Sequence, residues 1–392
     1  MKKLLRYLSP FAPDQSGACG VLYELGGLIV IADAGGCAGN ICGFDEPRWF
    51  TKKSAVFSAG LRDMDAIMGR DDRLIAKLKT AHDQLGGAFS AIVGTPVPAV
   101  IATDMKALKR MGENSLGIPC ITINCDGTAY YDEGEEAAWL SLFEEFAGKS
   151  VEEVDKASNN DATEDATEDA AEDAAEDAAG DKIGILGATP LETGYIDKES
   201  LLSAMGSLEN VVVYSLGSTL DDIRNAPDMK KHIVVSPAAL KAAEYLKSKF
   251  GVPYEVGYPF IPQNVVDESV AALTRFAADA GNSSDAAGSG DTCSILILHS
   301  QFSANELRQK LENVAAESDI SVKIDCATFF MQSPDYVEAG DIHLNDEDDL
   351  YELASSGSYD MIIGDADIRL LLNAAGYKGT LVDYPHFAIS GR

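Results

Sequence analysis

Residues 26–40 read GGLIVIADAGGCAGN, and this stretch decides how the first part of the chain folds. The apolar run Leu28–Ile31 predicts a buried strand, and the glycines after it predict a tight turn that carries Cys37. In an α/β sheet, the loops at the carboxyl ends of the strands open onto the crevice in which ligands bind. Gly35 and Gly36 let the backbone approach a bulky inorganic or phosphate group, and a cysteine thiolate is a soft metal ligand. The alternative interpretation is a small buried cysteine in a βα turn.

The composition excludes several classes of protein. The chain has 392 residues, more than one hydrophobic core usually serves, so two or three domains are expected. The net charge of −32 argues against partners such as nucleic acid or an anionic membrane, and no apolar stretch is long enough to span a bilayer. The first residues do not resemble an export signal, so we expect a cytoplasmic protein with reduced thiols. The cysteines are then packing residues or ligands: Cys19, Cys37, Cys42, Cys120, Cys125, Cys293 and Cys326.

Two segments divide the chain into three bodies of domain size. Residues 151–181 carry thirteen acidic residues and one lysine, largely in a four-residue repeat, which predicts an acidic disordered linker. Residues 278–291 are rich in Gly, Ser and Asp and predict a second flexible linker. The sequence thus predicts a first α/β domain with the cysteine loop at 1–150, a second at 182–277 and a third at 292–392.

Within each body, short apolar runs alternate with amphipathic segments. In the first body, the strands predicted at Ala88–Val93 and Ile118–Ile123 enclose a helix predicted at Asp104–Met111, and a longer helix is predicted at Asp63–Ala81. The same alternation continues through the other two bodies. Strands separated by helices imply parallel sheets covered on both faces. The predicted fold class is therefore α/β, with three Rossmann-like doubly wound domains.

Familiar catalytic motifs are absent from the sequence. There is neither a GxxxxGK[ST] phosphate loop nor a GxSxG elbow, and Gly184 and Gly187 give only part of a dinucleotide fingerprint. The histidines are scattered without zinc-site spacing, which favours a structural or surface role for each. We therefore predict that the chain does not itself hydrolyse ATP, and the catalytic residues stay unknown.

Several loops resemble those of nitrogenase component 1 proteins. Residues Gly35–Asn40, which read GGCAGN, resemble that family's second cluster-ligand loop, and the cofactor-scaffold branch also reads Cys-Ala-Gly-Asn. Residues Ser58–Gly69 resemble the acidic segment after it, and Gly94–Asp104 is similar to the loop that carries the third cysteine. Tyr214–Arg224 in the second body and Tyr359–Gly364 in the third fit the same family. The resemblance spans nearly the whole chain.

This resemblance implies a cofactor and partners. That family has three Rossmann-like domains per subunit, pairs its subunits, and holds an iron–sulfur cluster, here expected to be of the 4Fe-4S type, where two first domains meet. It takes electrons from a separate ATP-dependent iron protein, which agrees with the missing phosphate loop. The implied function is an oxidoreductase subunit that passes electrons through the interface cluster, under anaerobic conditions, to an unknown substrate in the inter-domain cleft. The alternatives are a non-catalytic scaffold or partner subunit that binds a metal cofactor or tetrapyrrole, and an α/β binding protein without metal.

The family's ligand set is only partly present. Cys37 matches the second cysteine, whereas Phe11 stands at the first position and Pro96 at the third. One cysteine cannot hold a four-thiolate cluster, so two routes stay open. Cys19 and Cys42 could converge with Cys37, or a second chain, in a homodimer or in a heterodimer with a component 1 homologue, could supply the missing ligands. Ordinary packing is the alternative for Cys19 and Cys42.

The resemblance also assigns residues to cofactor binding, namely Gly35, Gly36, Gly217 and Ser218. The catalytic subunit of nitrogenase anchors its large cofactor with a cysteine in the second domain, and the corresponding stretch here, His232–Pro237, has none. Since serine or valine does not replace a thiolate on iron, dinitrogen reduction is not expected.

Overall fold

Three parallel sheets organise the chain. The computed structural model describes residues 5–149, 180–206, 210–282 and 292–390. Within these residues, each sheet is built from strands of one part of the chain, and all neighbouring strands of a sheet run parallel. The predicted fold class, α/β with three Rossmann-like doubly wound domains, is confirmed.

The first sheet surrounds the central strand that the opening sequence predicts. Its strands are β1 (Leu28–Ile31), β2 (Ala55–Ser58), β3 (Ser90–Val93) and β4 (Cys120–Ile123), in the order β2-β1-β3-β4. Its helices are α1 (Asp14–Leu22), α2 (Gly36–Asn40), α3 (Asp63–Met68), α4 (Asp71–Leu85), α5 (Pro96–Val100), α6 (Met105–Leu116) and α7 (Tyr131–Phe146). A π-helical turn, Ile41–Asp45, and a 3-10 turn, Pro47–Phe50, follow α2. The helix predicted at Asp63–Ala81 is split, because Gly69 adopts a left-handed φ of 60° and ends α3.

The second sheet is smaller. Its strands are β5 (Ile183–Leu186), β6 (Val211–Val213), β7 (Lys231–Val234) and β8 (Tyr254–Val256), in the order β6-β5-β7-β8. Its helices are α8 (Pro190–Thr193), α9 (Lys198–Ala204), α10 (Leu220–Arg224) and α11 (Leu240–Phe250), with 3-10 turns at Ala226–Asp228 and Pro237–Ala239. The next helix, α12 (Gln263–Asn282), leads into the third domain.

The third sheet contains five strands within the described residues. They are β9 (Cys293–Leu298), β10 (Val322–Thr328), β11 (Asp341–His343), β12 (Met361–Gly364) and β13 (Thr380–Asp383), in the order β11-β10-β9-β12-β13. The helices are α13 (Gln301–Glu317), α14 (Glu347–Ser355) and α15 (Arg369–Ala374), with 3-10 turns at Pro334–Tyr336 and Ala366–Ile368. The strand order reverses between β9 and β12, so a crevice opens beyond their carboxyl ends.

The chain crosses the predicted domain boundaries in two places. Helix α12 continues past residue 277 and packs against β9, β13 and α13 of the third domain. At the other end, the Ala12 amide donates to the Ala388 carbonyl (2.7 Å), so the N-terminal segment also lies on the third domain. Residues 150–179, with most of the predicted acidic linker, and 283–291 of the second predicted linker lie outside the described residues.

Most of the cysteines lie in apolar cores. Cys120 begins β4, and Cys125 follows the end of that strand by two residues. Cys293 lies on β9 and Cys326 on β10, and all four cysteines are buried. Burial raises the pKa of each of these thiols, as expected for packing residues. In the described part of the chain, no helix has the length and apolar character needed to cross a membrane.

Candidate functional site

The glycine–cysteine turn lies at the carboxyl edge of the first sheet. Strand β1 leads through the buried Asp33 to Gly35, whose φ of 123° turns the chain into α2. The Asp33 carboxylate accepts hydrogen bonds from the Ala38 amide (2.8 Å) and the Ser58 hydroxyl (2.5 Å). Asp33 therefore fixes the turn against the loop after β2. A Cβ at Gly36 would meet no atom within 4 Å, so the turn is open on its outer side.

Cys37 is half-buried in this turn. Its thiol lies near Asp33, Thr95 and Asp14. Burial, assisted by the negative charge of Asp33, raises the pKa of the Cys37 thiol, so the free protein holds it protonated. Binding of a metal at Cys37 would release that proton.

Cys19 and Cys42 form a separate pair. Cys19 lies on α1 and is fully buried, whereas Cys42 is half-buried in the π-helical turn, and both thiols lie near the Glu46 carboxylate. Burial raises the pKa of both thiols. Among the described residues, no three His, Cys, Asp or Glu side chains are grouped so that they could hold a metal ion. The structure thus does not bring Cys37 into one metal-binding group with Cys19 and Cys42.

The other two positions that the resemblance assigns to ligands carry no donor atom. Phe11 packs among aromatic rings, with centroid distances of 5.3 Å to Tyr130 and 5.0 Å to Phe330. Pro96 begins α5 and lies so close to Gly127 that a Cβ there would approach it to 2.6 Å. The residues of a single chain therefore do not fit a four-thiolate cluster. At this edge, Cys37 is the one residue of the three family positions that offers a thiol.

Large apolar side chains are exposed at the same edge of the first sheet. They lie near the ends of β1, β2 and β3, and they are Phe44, Met64, Ile67, Met68, Val100 and Ile101. Because the three strands are parallel, their carboxyl ends share the edge that also carries Cys37. We name these six residues the first-domain apolar face. Exposed apolar patches of this kind mark interaction sites.

Arg48 connects the segment between β1 and β2 to the second domain. Its guanidinium is fully buried and donates to the Glu46 carboxylate, to the Gly20 carbonyl and to the Ser215 carbonyl, each at 2.6 Å. The charge of the buried carboxylate compensates that of the guanidinium, as burial of an ion requires. Arg48 therefore holds the segment that carries part of the apolar face against the loop after β6.

Gly217 and Ser218 lie at this same junction of the first and second domains. Gly217 has a left-handed φ of 65° and donates its amide to the Glu24 carboxylate at 2.8 Å. The Ser218 hydroxyl accepts a hydrogen bond from the Ser215 amide at 3.0 Å. The Gly217 amide and the Ser218 hydroxyl are thus engaged within the protein, and the Gly217 amide contributes to the packing of the first and second domains.

A buried hydrogen-bond network lies where the three domains meet. Glu192 of α8 is 2% exposed, and its Oε1 accepts a hydrogen bond from the Ser300 hydroxyl at 2.6 Å. Its Oε2 accepts from the hydroxyls of Tyr131 (2.7 Å) and Ser236 (3.4 Å). The Tyr131 hydroxyl also lies 3.2 Å from Nε2 of His386. We call these five residues the junction network. It connects α7 and α8 to the loops that follow β7, β9 and β13.

Two further carboxyl groups lie beside this network on α7. Burial raises the pKa of Glu192 to about 7 and that of Asp132 to about 6, and it raises the pKa of Glu135 well above its usual range. Glu135 accepts a hydrogen bond from the Thr189 hydroxyl, and its Oε2 has no hydrogen-bond partner among the described residues. As anions, the three carboxylates would repel one another, so ionisation of one opposes ionisation of the others.

A small cavity adjoins the junction network on its third-domain side. Its volume is about 30 Å³, and it lies beyond the carboxyl ends of β9 and β12. Leu8 and Phe11 of the N-terminal segment form one wall, and the imidazoles of His299 and His386 line another. Burial lowers the pKa of His299 to about 4, so this ring is neutral, and it stacks on His386 with a centroid distance of 4.5 Å. The cavity is largely apolar and has room for a few water molecules or a ligand of similar size.

Sequence reasoning missed the junction network. His386 is one of the scattered histidines for which the sequence favours a structural or surface role, and no sequence motif marks Glu192 or Tyr131. The sequence position of Glu192 and His386 could have indicated this site. Each residue follows a predicted strand by a few residues, at the edge where α/β domains bind ligands. Their convergence depends on how the domains pack, which no local pattern specifies.

Both sequence and fold relate the chain to known proteins. The family described as nitrogenase component 1 type oxidoreductase matches residues 17–289, which is more than half of the chain. The chain therefore belongs to the nitrogenase component 1 type oxidoreductase family. Members of this family typically bind metal–sulfur clusters, form oligomers and act with an iron protein. Comparison with curated protein sequences gives no match.

Two solved structures share the complete fold. Nitrogenase Cp1 at pH 6.5 aligns with 100% of this chain and 89% of its own, with a TM-score of 0.65 and 12% identity. Nitrogenase Cp1 at pH 5 aligns with 98% of this chain and 86% of its own, with a TM-score of 0.62 and 14% identity. At this level of identity the likeness shows the fold alone.

Proposed function

We propose that the chain is an oxidoreductase subunit that pairs with a second component 1-type subunit through the first-domain apolar face and contributes Cys37 to an iron–sulfur cluster shared between the two chains. The observation that carries this proposal is the position of one half-buried thiol at the edge that carries six exposed apolar side chains. The cluster would supply one-electron chemistry, with an ATP-dependent iron protein as the electron donor. The second subunit is another copy of this chain or a homologue with more cysteines.

The surroundings of Cys37 support a shared site. The outer side of Gly36 is open, so a second chain can approach the turn without displacing a side chain. Gly35 is also exposed. Cys19, by contrast, is fully buried under Arg48 and Glu46, where ligation would require the core to open. Cys42 is half-buried like Cys37, but only Cys37 lies in the open glycine turn, and it is the thiol that we propose a partner subunit reaches.

The small cavity next to the junction network is the site that we propose for the substrate. Its walls are largely apolar, and its position beyond β9 and β12 is the usual ligand position in an open α/β sheet. We propose a reaction other than dinitrogen reduction, because the loop after β7 offers Ser236 and no cysteine for a large metal cofactor.

Iron analysis with cysteine variants tests the proposal. The full chain is produced anaerobically, alone and together with a co-encoded component 1 homologue, and iron and acid-labile sulfide are measured. We expect Cys37→Ser to lose most of the bound iron, whereas Cys293→Ser, a change within a buried strand, retains it. Retention of iron by Cys42→Ser supports ligation by the second chain, and its loss supports a ligand from the same chain. Wild-type protein without iron in both preparations would contradict the proposal.

A non-catalytic partner or scaffold subunit is the second candidate. The observation in its favour is that Phe11, Phe330 and Tyr131 fill much of the space between the domains, with ring centroids 5.0 and 5.2 Å apart. Turnover with the cognate iron protein separates the two candidates. Iron binding together with electron uptake from that protein supports the oxidoreductase, whereas binding of a preformed cofactor without electron uptake supports the scaffold.

A further inference from the structure

The junction network has the connectivity of a proton path. Each of its hydrogen bonds joins a group that can give up a proton to one that can accept it: a carboxyl group at Glu192, a phenol at Tyr131 and an imidazole at His386. The distances along the path are 2.7 Å from Tyr131 to Glu192 and 3.2 Å from Tyr131 to His386. One end of the path lies at the junction of the three domains, and the other end lies on the wall of the cavity.

We propose that Glu192, Tyr131 and His386 form a proton relay, in which Glu192 stores a proton taken up at the cavity through His386. The proposal goes beyond the function proposed above, because it requires neither iron nor a second subunit.

The proton count allows two defined states. In the first state Glu192 is ionised, the Tyr131 hydroxyl donates to it, and His386 carries its proton on Nε2 and donates to the Tyr131 oxygen. A proton that arrives at Nδ1 of His386 drives the Nε2 proton onto the Tyr131 oxygen, and the original Tyr131 proton passes to Oε2 of Glu192. In the second state Glu192 is neutral, Tyr131 donates to Nε2, and His386 carries its proton on Nδ1. One proton enters, one carboxyl group becomes neutral, and no heavy atom has to change its place.

The surroundings of Glu192 favour storage of a proton over permanent charge. Glu135 and Asp132 face it from α7, and the phenols of Tyr258 and Tyr384 lie near it, so no cation compensates Glu192 from these sides. The buried guanidinium of Arg48 acts on Glu135 and is already compensated by Glu46. At the same time, the hydroxyls of Ser300 and Ser236 stabilise the anion. Burial and hydrogen bonding thus oppose each other and leave the pKa of Glu192 at about 7.

His386 is held in a fixed orientation for this role. Its amide donates to the Asp365 carboxylate at 2.8 Å, and its ring packs between His299, at 4.5 Å, and the edge of Phe330, at 4.5 Å. The neutral His299 does not compete for the proton, since its own pKa is lowered to about 4. The ring of His386 therefore keeps its contact with Tyr131 in both states, and only its tautomer changes.

The tautomer of His386 gives a direct test. The full chain is labelled with ¹⁵N-histidine, and the two ring nitrogens of His386 are followed by long-range ¹H–¹⁵N correlation over a pH series. We expect a change from the Nδ1–H to the Nε2–H tautomer as pH rises, with its midpoint at the pKa of Glu192. A single tautomer throughout the wild-type series would overturn the proposal.

Variants assign the change to the relay. In Tyr131→Phe the path is cut, so the tautomer change that follows Glu192 should vanish while the protein stays folded. Glu192→Gln removes the storage site and should fix one tautomer. Glu133→Gln neutralises an exposed acid on the same helix and should leave the wild-type midpoint unchanged. A tautomer change that persists in Tyr131→Phe rejects the relay even if Glu192→Gln fails to fold. Since the measurement uses iron-free protein, its outcome is independent of the iron analysis.

Discussion

The carboxyl edge of the first sheet and the junction network differ in completeness. The edge presents one thiol, open glycines and exposed apolar side chains, and it has no grouped metal ligands within the described residues. The junction network is closed: Glu192 accepts hydrogen bonds from Ser236 of its own domain and from side chains of the other two domains. Both sites lie at strand ends. Folding of the single chain completes the junction network, whereas the site that we propose at Cys37 needs a second chain. We expect changes at the network to alter the stability of the single chain, and changes at the edge to alter association.

The largest effect is expected at Arg48, which joins the first domain to the second. Arg48→Met removes a buried guanidinium and leaves the Glu46 carboxylate buried without its ion partner. Breaking a buried pair in this way costs about 3–5 kcal/mol of unfolding free energy. Urea denaturation of the purified chain measures it. Arg70→Met is the matched control, because Arg70 and its partner Asp72 are exposed, and an exposed ion pair contributes little to stability. Equal costs for the two variants would show that Arg48 does not join the domains.

The second effect depends on pH and concerns Glu192. Its pKa is raised in the folded chain from 4.5 to about 7, so the folded state binds more protons than the unfolded state between these values. The contribution of Glu192 to stability is therefore present below about pH 4.5 and is lost as pH rises through about 7. Relative to wild type, Glu192→Gln should gain about 3 kcal/mol between acidic and mildly alkaline pH.

The comparison with the variant is necessary because other buried groups titrate in the same range. The pKa values of His232 and His299 are lowered to about 4, so their contributions to stability rise with pH and oppose that of Glu192. These contributions cancel when Glu192→Gln and wild type are compared at each pH by urea denaturation. A difference between the two proteins that does not vary with pH would show that Glu192 is ionised throughout.

A smaller effect is expected for the N-terminal wall of the cavity. The amides of Arg6, Tyr7 and Leu8 donate to the buried Glu347 carboxylate at 2.6, 3.0 and 3.2 Å. Glu347→Gln replaces one acceptor oxygen by an NH₂ group that cannot accept, which should cost about 1–2 kcal/mol. Hydrogen exchange of the peptide that contains these amides should become faster. Glu352→Gln, an exposed change on the same helix, should leave the exchange unaltered.

What the sequence predicts well is local and repeated, and what it misses depends on contacts between domains. The run Leu28–Ile31 and the glycines after it specify a strand and a turn by their own chemistry, and the structure has both. Helix α12 was divided by a predicted boundary at 277, because its amphipathic pattern does not say which sheet it covers. The junction network was missed for the same reason. Glu192, Tyr131 and His386 are far apart in sequence, and only the assembled domains bring them within hydrogen-bond distance.

The smallest effect on folding, and the clearest test of the comparison, is expected at the first-domain apolar face. Ile67 is 75% exposed on α3 and Val100 is 84% exposed at the end of α5, so neither contributes much to the core. The double variant Ile67→Ser, Val100→Ser should change the unfolding free energy by no more than about 0.5 kcal/mol. If the face pairs subunits, the same variant should shift the protein to monomers in light scattering. Leu85→Ser changes an exposed residue at the end of α4, next to the opposite edge of the sheet, and should leave association intact. Should the double variant remain paired, or should wild type be monomeric alone and with its homologue, the exposed side chains would not be a subunit interface, and Cys37 would lack the second chain that it needs.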